Sequence, residues 1–192
     1  MKKGFTIVEV AILFVIFLIV AFLVAPLSLD DTMQAKNTSN WRRVQQDFTN
    51  IFYNVNVQKN DEDLTLKDAL STVISNEVKD SVKPYRITYL NGTYPSNTHR
   101  FNEFKQTYSN AILSLKFFEE PQDNVQGVLM YDINGQVGPN KWGKDVFGFN
   151  IYDDKFEPFC KNKPINEQKQ DCSKHGTGLC CSNYYLIGGS FD

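Results

Sequence analysis

The sequence predicts an α+β chain, helical in its first half and built of strands and loops in its second. Three observations carry this reading. An uncharged apolar run fills residues 10–29. Between residues 5 and 83 there is no glycine, and Pro26 is the only proline, whereas ten of the eleven glycines lie after residue 90. All four cysteines fall between Cys160 and Cys181, marking one local cross-linked segment.

The apolar run comes first. Between Phe5 and Leu29 the only charge is Glu9. About 20 apolar residues suffice for a helix to cross a bilayer. Lys2 and Lys3 precede the run, while Asp30 and Asp31 follow it. The positive end is expected to stay in the cytoplasm and the rest of the chain to face outward. A secretory signal has a shorter apolar region and a small-residue cleavage site, and Pro26 directly after Ala25 makes a poor junction.

Past the run, Trp41, Val44, Phe48, Ile51 and Val55 recur at spacings of three and four, an apolar helical stripe that reads as core packing. Residues 59–63 read as a charged turn, and 64–79 as a second helix with Leu66, Ala69, Leu70, Val73 and Ile74 on one face. After Pro84 the pattern changes to strands. Residues 85–90 alternate and end at Asn91-Gly92, a turn signal. Residues 111–118, 125–131 and 145–152 are further strands, with a short one at 184–187.

Composition narrows the function. With 20 basic and 22 acidic side chains in 192 residues, the net charge of −2 gives no electrostatic case for nucleic acid as the main partner. The 42% hydrophobic content fits a folded chain, and the 14% aromatic content points to a core of large rings or a sticky surface. There is no phosphate loop and no serine or cysteine nucleophile motif. With two histidines, and His99 in a polar loop lacking a nucleophile or carboxylate nearby in sequence, no enzymatic activity is expected, and no cofactor. Asn37-Thr38-Ser39 and Asn91-Gly92-Thr93 fit the glycosylation pattern but read as accidental.

Two constellations invite chemical readings. Asp132-Ile133-Asn134-Gly135, followed by Gly138-Pro139-Asn140 and Asp145, resembles the opening of a calcium loop but lacks the closing glutamate. The alternative is a pair of turns joining two strands. Cys160, Cys172, Cys180 and Cys181 with His175 suggest zinc, but the spacings fit no common pattern. Two disulfides suit an exported domain better. Adjacent cysteines rarely bridge each other, so Cys180 and Cys181 are each expected to pair with Cys160 or Cys172, in either arrangement.

Glu9 is the residue that decides among functions. A carboxylate at the start of an apolar helix costs energy and needs a reason. It belongs to Lys2-Lys3-Gly4-Phe5-Thr6-Ile7-Val8-Glu9, which closely resembles the processing site of type IV prepilins and type II secretion pseudopilins. Pro26 falls where many of these proteins have a helix-kinking proline. The likeness covers only the first thirty or so residues, but its motif is specific.

The resemblance implies an architecture: a long N-terminal helix, transmembrane in its first half, packed on an antiparallel sheet, with a disulfide-closed C-terminal loop. It divides the chain into a leader at 1–4, a transmembrane and assembly helix at 5–29, and an outer globular domain at 30–192. It also implies a life history. A prepilin peptidase cuts between Gly4 and Phe5, where glycine lets the enzyme approach the backbone. The new amine of Phe5, usually methylated, pairs with Glu9 of a neighbouring subunit, with the Thr6 hydroxyl in support. An unpaired carboxylate is expensive in a bundle of apolar helices, so pairing favours one register. Loss of the leader leaves 18 basic against 22 acidic side chains, removing a topology signal.

The implied partners are prepilin peptidase, other pilin or pseudopilin subunits, an inner-membrane assembly platform and membrane lipid. The implied location is the inner membrane, crossed once with the C-terminus outside, and then an extracellular or periplasmic filament. Pilus, type II secretion and DNA-uptake machines all stay open. So do a minor pilin that binds a surface, DNA or another subunit through its C-terminal loop, and a single-pass anchored binding domain.

Overall fold

The computed structural model describes residues 7–62 and 65–190; within these ranges it leaves aside the side chains at 9, 21–31, 58–62 and 122. Gly4, Phe5 and Thr6, and the side chains of Glu9 and Pro26, therefore lie outside the described residues. The chain divides into two compact units, residues 1–36 and 37–192.

Helix α1 spans Ile7–Glu62 and contributes to both units. In the first unit the described side chains from Val10 to Val20 are all exposed and all apolar. The expected fold class needs correction here. Among the described residues no helix is long and apolar enough to cross a membrane. The expected transmembrane first half, and with it the single-pass inner-membrane location, is overturned by this finding. Packing on the sheet is described only for the part of α1 within residues 37–192.

In the second unit a six-stranded meander forms the centre: β1 (Val78–Val82), β2 (Phe104–Thr107), β3 (Ile112–Gln122), β4 (Val125–Asp132), β5 (Val146–Ile151) and β6 (Phe156–Pro158), each antiparallel to its neighbours. Alternation along the strands splits the core in two. Leu113, Leu129, Phe147, Phe149 and Ile151 face one side, where they meet Trp41, Phe48, Phe52 and Val55 of α1 and Leu66, Ala69, Leu70 and Ile74 of α2 (Leu66–Ser75). The expected stripe on α1 is thus the face that packs. Ile112, Val128, Met130 and Val146 face the other side, under Tyr89, Phe101, Trp142 and Phe159. Gly148 sits between the layers, where a Cβ would stand 2.4 Å from the Phe159 ring.

Several expected elements differ. Residues 59–62 continue α1 and do not turn. The second helix starts later, at a Thr65 cap whose hydroxyl accepts from the Asp68 N–H (3.2 Å), and stops at Ser75, because 78–82 joins the sheet edge as β1. Residues 85–90 form no strand. Their alternation lets Tyr85, Ile87 and Tyr89 cover the second face, and only Thr88 bridges, to Lys141. Residues 184–187 form no strand either. Cys181–Tyr184 is a short helix, α4, preceded by α3 (Ile165–Asp171).

Candidate functional site

Three places carry arrangements that packing alone does not require. In the first unit, Ile7 is 89% exposed and Phe17 67%, and the apolar side chains from Val10 to Val20 find no cover within the described residues. An all-apolar helix is stable in water only when something covers it.

The second place is the C-terminal clasp. Cys160 bridges Cys180 and Cys172 bridges Cys181, resolving the two open arrangements. No cysteine is free, so none can offer zinc a thiolate, and His175 lies exposed. Asp171 organises the turn between them. One carboxylate oxygen accepts the Thr177 N–H (2.8 Å) and hydroxyl (2.6 Å), and the other accepts the Cys180 N–H (2.9 Å). Gly178 follows at φ +80°, where a Cβ would meet the Trp142 carbonyl at 2.2 Å. The clasp then closes on α1 and the sheet. The Trp41 indole donates to the Ser182 carbonyl (2.7 Å), Arg42 Nε to the Tyr185 carbonyl (3.0 Å), and the Tyr185 hydroxyl to the Gly143 carbonyl (3.1 Å). The expected C-terminal loop, Cys160 to Cys181, is thus tied to the core at Gln168, Cys172, Gly178, Cys180 and Cys181, and Ser182 and Tyr185 just beyond it are fully buried. Residues 161–167, 169–170 and 174–175 are its exposed parts.

The third place is the Asp132–Asp145 turn pair. Both aspartates are fully buried. Asp145 accepts the N–H groups of Asn140 (2.8 Å) and Lys141 (2.7 Å), one on each oxygen. Asp132 accepts the Tyr85 hydroxyl (2.6 Å) and the Asn134 N–H (3.3 Å). Every carboxylate oxygen therefore already has a donor from the chain. Among the described residues no group of three or more His, Cys, Asp or Glu could hold a metal ion. Of the two readings of this motif, the geometry favours paired turns over a calcium loop.

Burial pushes the Asp132 carboxyl up to about 8, against the lowering effect of the Tyr85 hydroxyl and with a further rise from the Asp145 charge. Burial likewise raises Asp145, opposed by the Lys141 and Asn140 N–H donors. The linkage has a definite sign. A folded Asp132 holds its proton up to about pH 8, while the unfolded chain releases it near 4. Its stability contribution is full below pH 4 and is lost as pH rises to about 8. Urea midpoints measured between pH 5 and 8 are therefore expected to fall with rising pH, and to fall less steeply in Asp132→Asn. Equal slopes in the two proteins would remove Asp132 as the source.

Sequence reasoning passed over one feature entirely. Residues 83–103, between β1 and β2, wrap a partly open cavity of about 410 Å³ lined by Tyr85, Arg86, Tyr94, His99, Arg100 and Phe101 among others. No spacing or motif announces it, because its residues come from an irregular loop. The only sequence signals were the loop's length and its density of aromatic and basic residues.

No family model, no curated protein and no solved structure matches this chain.

Proposed function

We propose that the chain is a pilin-like structural subunit, cut by prepilin peptidase after Gly4 and assembled into a filament with other pilin or pseudopilin subunits through its N-terminal helix. One observation carries the reading: the leader-like stretch Lys2 to Glu9 runs directly into a helix whose apolar side chains at 10–20 are exposed. A helix of that kind is an assembly surface awaiting like helices, and burying it among copies removes the apolar face from water. Glu9 then fixes the register by pairing with the Phe5 amine of a neighbour, with Thr6 beside it and Pro26 further along the helix. The two disulfides fit an oxidising compartment outside the cytoplasm.

A binding role for the C-terminal segment gains no specific support, since Cys172, Cys180 and Cys181 are committed to the core and the exposed residues between them form no distinct site. The structural role comes first.

The test has two parts. Mass and N-terminal sequencing of the mature protein are expected to give a chain beginning at Phe5. Glu9→Ala is expected to leave residues 37–192 folded while filament incorporation drops roughly tenfold or more, the scale of losing a paired charge in an apolar setting. A mature chain still beginning at Met1, or normal filament yield from Glu9→Ala, sinks the proposal.

A further inference from the structure

The segment 83–103 exceeds the roughly 12–15 residues beyond which a loop lacking regular structure usually has a job. It contains only the 3₁₀ turn Asn97–His99. Yet it is tied down. Its Thr88 N–H donates to the Asn140 carbonyl (3.1 Å), Leu90 N–H to Thr177 (2.9 Å) and Asn91 N–H to Gly176 (3.0 Å), while Tyr89, Leu90 and Pro95 are buried. A loop held this firmly presents a preformed cavity.

The lining combines Tyr85, Tyr94, Phe101 and Phe104 with two guanidiniums. Arg86 lies over the Tyr94 ring, 4.4 Å from its centroid, which fixes a charge at the mouth. Arg100 is exposed beside it. No carboxylate lines the cavity, and among the described residues neither arginine makes an ion pair. His99 brings no charge of its own. Burial lowers it to about 4, with Lys116 lowering it further and Asp171 opposing, and its Nδ1 lies 3.3 Å from the Tyr89 hydroxyl and 3.2 Å from that of Ser96. Lys116 adds positive potential, and Asp171 spends both oxygens on Thr177 and Cys180.

We propose that this cavity binds a small ring-bearing oxyanion, with its flat apolar body against the aromatic wall and its carboxylate or phosphate on Arg86 and Arg100. The volume falls in the range of small-ligand sites and suits one ring, and guanidiniums are the side chains whose fork matches the paired oxygens of a carboxylate or phosphate. This proposal is independent of the filament role.

NMR titration of the full chain tests it with simple probes. Phenyl phosphate or 4-hydroxybenzoate is expected to saturate at about 1 mM or below, a fair affinity for about ten non-hydrogen atoms. Phenol supplies the ring without charge, and inorganic phosphate and acetate supply charge without the ring. All three are expected to bind at least roughly tenfold more weakly. Which of the two ring-bearing probes binds better identifies the oxyanion. Arg86→Gln and Arg100→Gln, both surface changes, are each expected to weaken binding about tenfold with spectral dispersion retained. No saturation by either probe at about 10 mM, phenol binding as well as they do, or unchanged affinity in both variants overturns the proposal.

Discussion

Replacing Trp41 by alanine is expected to destabilise residues 37–192 by about 3–5 kcal/mol, the range for deleting a large buried ring. Trp41 is fully buried, stacked on Phe147 with centroids 4.8 Å apart and 18° between planes, and equally close to Phe149. Its removal opens a void between α1 and the centre of the sheet. It also leaves the Ser182 carbonyl without its donor at 2.7 Å, a further penalty for a buried acceptor. Trp41→Phe keeps most of the ring and isolates the hydrogen bond, so it is expected to lose only about 1–2 kcal/mol. Tyr53→Ala, on the exposed side of the same helix, is expected to stay within about 0.5 kcal/mol. Urea unfolding of the three variants decides the matter. A loss below about 1 kcal/mol for Trp41→Ala would mean that the helix does not depend on this contact.

Removing the disulfides is the second large effect. Chain-entropy reasoning gives about 3 kcal/mol for Cys160–Cys180, which spans 20 residues, and about 2.5 for Cys172–Cys181, which spans 9. The two bridges share one short segment, so their losses are not expected to add fully. Cys172, Cys180 and Cys181 are buried, so alanine is the better replacement; serine would add an unpaired hydroxyl. Paired alanine variants are expected to melt lower, with the 160–180 pair the more affected. Reductant is expected to lower the wild-type melting temperature to near that of the variant lacking all four cysteines, and to leave that variant unmoved. A wild-type melting temperature indifferent to reductant would count against both bridges.

Much of the sheet and core was legible because periodicity reports burial. The stripe from Trp41 to Val55 and the strands near 112–122, 125–132 and 146–151 all place large apolar residues on faces that the sheet fills. Short strands at the sheet edges gave no signal. β1, Val-Lys-Asp-Ser-Val, is an edge strand with an exposed centre, and β6 is three residues ending in proline. The reverse error arose where burial has another cause. Tyr85, Ile87 and Tyr89 alternate because they cover a sheet face without joining it. Residues 184–187 look strand-like by composition, but the bridges at Cys180 and Cys181 and the Asp171 turn lead the chain into the helical turn Cys181–Tyr184 instead. The membrane span read from residues 10–29 is not supported, since among the described residues no helix is long and apolar enough to cross a membrane. The cavity stayed invisible because loop geometry, not spacing, brings Arg86 and Arg100 to one mouth.

The clasp also sets an order of events during synthesis. Trp41 and Ser182 are 141 positions apart, and Arg42 and Tyr185 are 143 apart. The hydrogen bonds that tie Trp41 and Arg42 to the clasp cannot form while a ribosome still holds residues 182–185, so a nascent chain leaves this end of its aromatic stripe unfinished until translation has passed them. Such distant closure makes for slow folding. It also gives holdase chaperones a long interval in which to bind that stripe, and keeps the chain threadable for as long as the interval lasts.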